Sequence, residues 1–265
     1  MKRHSSWWER LWRRTALRIF LRDLRISGQR IILQEDSVNG EERRAMSPRN
    51  LFQKELEDLR NHVRRMGEHV QNSYNQLADA WKTDNKELLT ALLDTDRQVK
   101  EYQRDIEAQC LRLMTRQQPV AGDLRLITAA LKAVTDIERV GDHVGDIAEL
   151  YLRLKYDAES SCIVVLEKMY FEVQEMFGQS IDAFMEGDVK EAEQVTVRDD
   201  VVDDFFNEMK LKVMEGIRNQ SMDADSVVDC LMVAKYLEKI GDHAENIGEW
   251  TVFQVTGDVD GVQLY

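Results

Sequence analysis

The fold is decided by a stretch that occurs twice in the chain, one hundred residues apart. Residues 136–149 read DIERVGDHVGDIAE, and residues 236–249 read YLEKIGDHAENIGE. Six of the fourteen positions are identical: Glu138/Glu238, Gly141/Gly241, Asp142/Asp242, His143/His243, Ile147/Ile247 and Glu149/Glu249. A match of this length at one constant offset indicates an internal duplication, so the sequence predicts two related units.

The composition outside this stretch is typical of long helices. Pro48 and Pro119 are the only prolines in 265 residues, and 43% of the residues are hydrophobic. Because proline interrupts helix interiors, this scarcity permits long helices. Apolar residues recur at three- to five-residue steps from Leu51 to Trp81, which indicates one amphipathic helix. The predicted fold class is therefore all-α.

Capping signals divide the chain into six long helices. Asp84 with Glu87, and Asp188 with Glu191, have the spacing of a capping box at a helix start. The predicted helices begin near residues 47, 84, 123, 160, 188 and 223 and end near residues 82, 118, 156, 185, 219 and 253. Short turns make neighbouring helices antiparallel, so we expect two pseudo-symmetric three-helix bundles.

The predicted organisation has four parts. They are a basic N-terminal extension at 1–45, a first three-helix repeat at 46–157, a second three-helix repeat at 158–255, and a flexible tail at 256–265. Residues 1–45 hold eleven Lys or Arg against six Asp or Glu. The extension is either a basic amphipathic helix on an anionic membrane surface or a segment that precedes a true translation start at Met46.

Charge and cysteine usage exclude several classes of protein. The chain carries a net charge of −13, so the part after residue 45 carries −18 and would repel a nucleic-acid backbone. Cys110, Cys162 and Cys230 are too widely spaced for a disulfide framework or a zinc knuckle, and we expect buried thiols in a reducing compartment. No apolar run reaches the ~18 residues that a membrane span requires.

The duplicated stretch places acids on one face of each predicted helix. The members are Glu138, Asp142, Asp146 and Glu149 in the first copy, and Glu238, Asp242, Glu245 and Glu249 in the second. Gly141 and Gly241 each cost roughly 1 kcal/mol of helix stability relative to alanine. Two explanations stay open: close helix approach at the glycines, or binding of Fe, Mn, Mg or Zn at the carboxylates. The alternative is an acidic face paired with Arg139, Lys239 and neighbouring helices.

The preceding helices add a full pair of acids to only one of the two copies. Asp199 and Asp203 lie four residues apart, whereas the positions 103 residues earlier hold Asp96 and Lys100. The second repeat therefore has the better set of metal ligands. His143 and His243 follow the aspartates, and we expect them to pack at a helix interface rather than to bind metal.

These motifs resemble the PhoU family of phosphate-transport regulators, over about Met46 to Val255. The resemblance is carried by Gln118-Pro119 with Asp123-Leu124-Arg125, by Glu138-Arg-Val-Gly-Asp142, by Asp199-x-x-Val202-Asp203 and by Glu238-Lys-Ile-Gly-Asp242. It implies a cytoplasmic, non-enzymatic adaptor, held at the inner face of the membrane through its partners. Those partners are the ATPase subunit of the phosphate-specific ABC transporter and a phosphate sensor histidine kinase, and the adaptor negatively regulates the phosphate-starvation response.

The resemblance also implies a multinuclear iron or zinc cluster, with Mg and Mn left open. Its ligands would be Asp199, Asp203, Glu238 and Asp242 in the second repeat and Glu138, Asp142 and Asp96 in the first. Lys100 departs from the acidic pattern of the first repeat. We further expect a homodimer, and direct binding of phosphate stays open. The alternative function is a carboxylate-bridged metal protein with a storage or enzymatic role, although a di-iron enzyme would need Glu-x-x-His pairs.

Overall fold

The computed structural model describes residues 47–117, 119, 121–157, 159–219, 223–259 and 262–263. The predicted basic extension, with both of its interpretations, lies outside these residues. The helices are α1 (Pro48–Lys82), α2 (Lys86–Leu92), α3 (Thr95–Gln117), α4 (Ala121–Tyr151), α5 (Ser161–Glu186), α6 (Val189–Asn219) and α7 (Ala224–Thr256). Among the described residues, no helix is both long enough and apolar enough to span a bilayer.

The prediction of an all-α fold with six long helices is confirmed. These helices are α1 and α3 to α7, and each has between 23 and 35 residues. Within the predicted tail, β1 (Asp258–Val259) and β2 (Val262–Gln263) form a short antiparallel pair.

The second predicted helix is divided into α2 and α3. Between them, the amides of Leu93 and Asp94 bond to carbonyls only three residues back, which tightens the chain into a turn. The predicted cap at Asp84 is wrong, because Asp84 has a φ of 49° in the left-handed region. The cap is Asn85, whose side chain accepts a hydrogen bond from the Leu88 amide at 3.0 Å.

The predicted cap at Asp188 is confirmed. The Asp188 carboxylate accepts hydrogen bonds from the amides of Lys190 at 2.9 Å and Glu191 at 3.1 Å. Asp223 caps α7 by accepting from the Ser226 amide at 3.0 Å. These bonds satisfy amides that the first turn of a helix leaves without an intrahelical partner.

The helices pack as two bundles that share one core. Helices α1, α3 and α4 contact one another, and α5, α6 and α7 do the same. The two bundles meet where α4 packs along α7 and α1 contacts α5. Both copies of the duplicated stretch therefore lie on the two central helices, which explains why Ile137, Val140, Ile240 and Ala244 are fully buried.

Aromatic residues reinforce the contact between α1 and α5. The Tyr74 hydroxyl donates to the Tyr170 carbonyl at 2.9 Å, and the Tyr170 hydroxyl donates to the Tyr74 carbonyl. The two rings stack with their centroids 4.5 Å apart. Each buried phenol thereby finds a partner across the boundary between the repeats.

Candidate functional site

The glycines of the duplicated stretch mark points where two helices approach closely. A β-carbon on Gly141 of α4 would lie 3.3 Å from both methyl groups of Val99 on α3. A β-carbon on Gly241 of α7 would lie 3.4 Å from a methyl group of Val202 on α6. Since Val99 and Val202 are themselves 103 residues apart, the two contacts are equivalent, and the prediction of close helix approach is confirmed.

The same approach buries part of the acidic set in the second repeat. Asp199 is 5% exposed, and its Oδ1 lies 3.5 Å from the β position of Gly241. Asp203 follows one turn later on α6 and is half-buried. Glu238 and Asp242 flank Gly241 on α7. The structure therefore brings Asp199 against the segment of α7 that carries the other two predicted ligands.

Lysines pair with the carboxylates of α7. Lys239 Nζ lies 3.3 Å from Glu238 Oε2 and donates a short hydrogen bond to Asp242. Lys235 Nζ lies 2.6 Å from the same Glu238 oxygen. Burial alone would lower the pKa of Lys239, but the hydrogen bonds and charges of Asp242 and Glu238 outweigh it and raise that pKa. Lys239 is therefore a persistent cation at this point of α7.

The first repeat has the same arrangement with a different set of cations. Glu138 is 7% exposed, and Arg139 Nε lies 3.5 Å from its carboxylate. Arg139 also donates to Asp142 at 3.1 Å, and Lys100 Nζ lies 3.5 Å from Asp142. Lys100, which departs from the acidic pattern, thus pairs with the predicted ligand Asp142. Asp96 lies on α3, and its side chain is outside the part of the chain that the structure describes.

In this arrangement, lysine and arginine side chains pair with the predicted metal ligands. Within the described ranges, no three His, Cys, Asp or Glu side chains are grouped so that they could hold a metal ion. A cation would have to displace Lys239 in the second repeat, and Lys100 with Arg139 in the first. The arrangement corresponds to the salt-bridged alternative, and the iron or zinc cluster stays a prediction.

The two histidines meet where α4 packs along α7. The rings of His143 and His243 lie 5.8 Å apart between centroids, with a 28° angle between their planes. Both side chains are about one fifth exposed, at 18% and 21%. The expectation that they pack at a helix interface is confirmed. Burial lowers the pKa of His143 and the nearby His243 adds to this, although the hydrogen bond to Asp146 opposes it.

Each histidine has a partner from the other repeat. His243 Nδ1 lies 2.9 Å from Asp136 Oδ1, which also accepts from Asn246 at 3.1 Å. The His143 ring lies 5.4 Å from the Tyr236 ring. Asp136 and Tyr236 are equivalent positions of the duplication, yet neither is predicted as a site residue. The one feature of the sequence that could have identified them is that each is the first residue of its copy. Because one is an acid and the other an aromatic residue, comparison of the two copies does not single them out.

Comparison with known proteins places the whole helical body in one family. The family model described as the PhoU domain matches residues 63–151 and 166–251. A protein of Clostridium acetobutylicum, named phosphate-specific transport system accessory protein PhoU homolog, is 31% identical over 79% of this chain and 96% of its own length. The protein of that name from Pseudomonas aeruginosa is 31% identical over 78% of this chain and 86% of its own length.

Solved structures agree with this placement. The crystal structure of PhoU from Pseudomonas aeruginosa superposes with a TM-score of 0.70 at 33% identity, over 78% of this chain and 100% of the other. The crystal structure of the phosphate transport system regulatory protein PhoU from Streptococcus pneumoniae superposes with a TM-score of 0.72 at 25% identity. The match covers 78% of this chain and 98% of the other. The family match covers both copies of the duplicated stretch, so the chain belongs to the PhoU family and carries two PhoU domains in tandem.

Proposed function

We propose that the protein is a cytoplasmic regulator of phosphate uptake that acts as an adaptor rather than as an enzyme. It contacts the ATPase subunit of a phosphate-specific ABC transporter and a phosphate sensor histidine kinase, and it represses the phosphate-starvation response when phosphate is plentiful. The observation that carries this proposal is the match of both PhoU domains to relatives named as accessory proteins of phosphate-specific transport, over nearly their full length.

The surface of the second repeat supports a role in protein contacts. Leu211, Met214 and Ile217 follow one another at three-residue steps near the end of α6, and we name them the apolar row. Leu211 and Ile217 are 57% and 59% exposed. Contiguous apolar side chains at the surface of a soluble protein mark interaction sites. We assign the apolar row to the contact with the ATPase subunit of the transporter.

The negative charge of the helical part of the chain favours partners with basic surfaces. The chain after residue 45 carries a net charge of −18, which attracts basic surfaces and repels acidic ones. A basic face on the kinase or the transporter subunit would therefore associate faster at low salt than at high salt. This long-range attraction would guide the encounter, and short-range apolar contacts would hold the complex.

The test is a binding assay of the full chain with each of the two partners, in the presence of phosphate. Replacing Leu211 and Ile217 together by glutamate should weaken binding to the ATPase subunit about ten-fold or more. Val197→Glu is the matched control, because Val197 is 67% exposed on the same helix. Absence of binding to both partners by the unmodified chain would overturn the adaptor proposal.

The same variants separate the partner contact from self-association. We propose that the protein is a homodimer, as closed two-fold assemblies are the commonest oligomers. Light scattering of the unmodified chain tests this directly. If the double glutamate variant becomes monomeric and still binds the ATPase subunit, the apolar row is the dimer interface and not the transporter contact. Deletion of the gene should in addition raise expression of phosphate-scavenging genes.

A further inference from the structure

A small cavity lies where the start of α6 meets the end of α7. Its volume is about 130 Å³, and it is partly open to solvent. The lining comes from the first turns of α6, from the last turns of α7 and from Asp258 of β1. A space of this size holds several water molecules, so it can accept a group of a few non-hydrogen atoms.

The duplication shows how the cavity arises. The helix caps Asn85 and Asp188 are 103 residues apart and align α2 with the start of α6, and these segments pack on α4 and α7 respectively. At the cavity, the second repeat has the smaller side chain at three aligned positions: Ala192 for Leu89, Thr196 for Leu93, and Gly248 for Ala148. Because shortening a buried leucine to alanine costs about 2–5 kcal/mol, the second repeat keeps this space at a cost in stability.

Three carboxylates line the cavity. They belong to Glu193, Glu249 and Asp258, and the position aligned with Glu193 in the first repeat is Thr90. Asp258 Oδ1 is buried and has no hydrogen-bond partner among the residues that the structure describes. Since a buried oxygen without a partner is costly, we expect a donor to bind there.

The carboxylates are distributed around the space instead of converging on one point. In the part of the chain that the structure describes, no three acidic, histidine or cysteine side chains are grouped as ligands of one metal ion. A cation that contacts several of these carboxylates must therefore be larger than a metal ion. An organic cation meets this requirement, because its positive charge is spread over a bulky group.

The indole of Trp250 adds a preference for organic cations. Trp250 is half-buried, and the aligned residue of the first repeat is Leu150. The indole ring already attracts the ammonium group of Lys132, whose Nζ lies 5.9 Å from the ring centroid. Lys132 does not line the cavity. An electron-rich ring beside carboxylates is the combination that binds alkylammonium groups in proteins.

We propose that this cavity binds a small organic cation that carries an alkylammonium group. The charge lies among the carboxylates of Glu193, Glu249 and Asp258, and the alkyl part packs against Trp250 in the space left by Ala192. The proposal does not depend on the adaptor function. A free amine and the lysine side chain of another protein share this chemistry, and the experiment separates these two sources.

The experiment follows the indole N–H signal of Trp250 in the full chain by NMR while choline chloride is added at constant ionic strength. Trp250→Leu identifies the signal by its loss. We expect a shift that saturates, and the uncharged isostere of choline, with carbon in place of nitrogen, should bind at least about five-fold more weakly. A parallel titration with acetyl-lysine methylamide represents a protein side chain, and the tighter of the two cations identifies the source.

Variants test the shape and the charge of the cavity separately. Ala192→Leu combined with Thr196→Leu restores the side chains of the first repeat and should remove the saturable shift without a change in charge. Glu193→Gln removes one carboxylate and should weaken binding about two- to five-fold. Glu175→Gln, at an exposed position of α5, removes the same charge elsewhere and should bind like the unmodified chain.

Three results would overturn the proposal. The first is the absence of a saturable shift with both cations in the unmodified chain, and the second is equal binding of the uncharged isostere. The third is equal binding by Glu193→Gln and Glu175→Gln, which decides the matter even if the double leucine variant does not fold. Because no transporter or kinase component takes part, these outcomes are independent of the adaptor proposal.

Discussion

Gly241 lies directly against Asp199: a β-carbon on Gly241 would stand 3.5 Å from Asp199 Oδ1. The missing side chain lets α6 and α7 approach, and this approach buries the Asp199 carboxylate to 5% exposure. In the first repeat the equivalent Gly141 faces Val99 at 3.3 Å. The glycine before each aspartate of the duplicated stretch thus sets the spacing between helices as well as the position of the acids.

Replacing a glycine by alanine should change the stability of the protein in opposite directions at Gly145 of α4 and at Gly248 of α7. At Gly145 nothing lies within 4 Å of the new β-carbon, so Gly145→Ala should raise the free energy of unfolding by about 0.5–1 kcal/mol through helix propensity. At Gly248 the β-carbon would lie 3.1 Å from the backbone oxygen of Ala192, which cannot rotate away. Gly248→Ala should therefore lower the free energy of unfolding by about 1–3 kcal/mol. Urea unfolding measures both changes, and two changes of the same sign would contradict the close contact of Gly248 with Ala192 or the open space at Gly145.

Metal binding in the second repeat should be limited by Lys239. If a cation binds, Asp203→Ala and Asp242→Ala should lower the metal content of the purified protein. Lys239→Ala should raise the metal content, because it removes the ammonium group that bonds to Asp242 and would compete with a cation for that carboxylate. Elemental analysis for iron and zinc is the measurement, and Asp204→Ala, at an exposed position of α6, is the control. Equal metal content in all of these proteins would remove the ligand assignment.

The regular part of the fold could be predicted from the sequence because it rests on short-range rules. Asp188 caps α6 through hydrogen bonds from amides two and three residues away. The spacing of the apolar residues in α1 follows from the geometry of an amphipathic helix. The break between α2 and α3 could not be predicted, since no proline or glycine marks residues 93–94. It depends on how the segment packs against α1 and α4, which a local pattern does not contain.

The sequence predicts the acidic residues of the site but not the cations that pair with them. The duplication identifies Glu138, Asp142, Glu238 and Asp242, yet the cations beside them depend on which helices meet. Lys100 reaches Asp142 across the interface between α3 and α4, at 3.5 Å. The partner that Asp136 finds in His243 lies 107 residues along the chain. Contacts of this kind follow from tertiary packing, so they become visible only in the structure.

The contact between the two repeats should weaken when the Tyr74 hydroxyl is removed. Tyr74→Phe deletes a fully buried donor and leaves the Tyr170 carbonyl without that bond, which should cost about 1–2 kcal/mol of stability. Tyr156→Phe is the control, because its hydroxyl bonds to Glu167 at a half-buried position, and its loss should be smaller. Urea unfolding followed by circular dichroism gives both values, and equal losses would show that the Tyr74 hydroxyl has no special part in joining α1 to α5.

Stability should fall as the pH is lowered because of His143. Burial between α4 and α7 and the nearby His243 lower the pKa of His143 in the folded protein, against the opposing effect of Asp146. The unfolded chain then binds a proton more readily than the folded one, so the contribution of His143 is complete above the ordinary histidine pKa and is lost as the pH drops through it. Urea unfolding at about pH 7.5 and about pH 5.5 should show this loss. His143→Gln keeps a polar side chain that does not titrate, so the variant should lose less stability over the same interval, and an identical loss in both proteins would rule out His143 as its source.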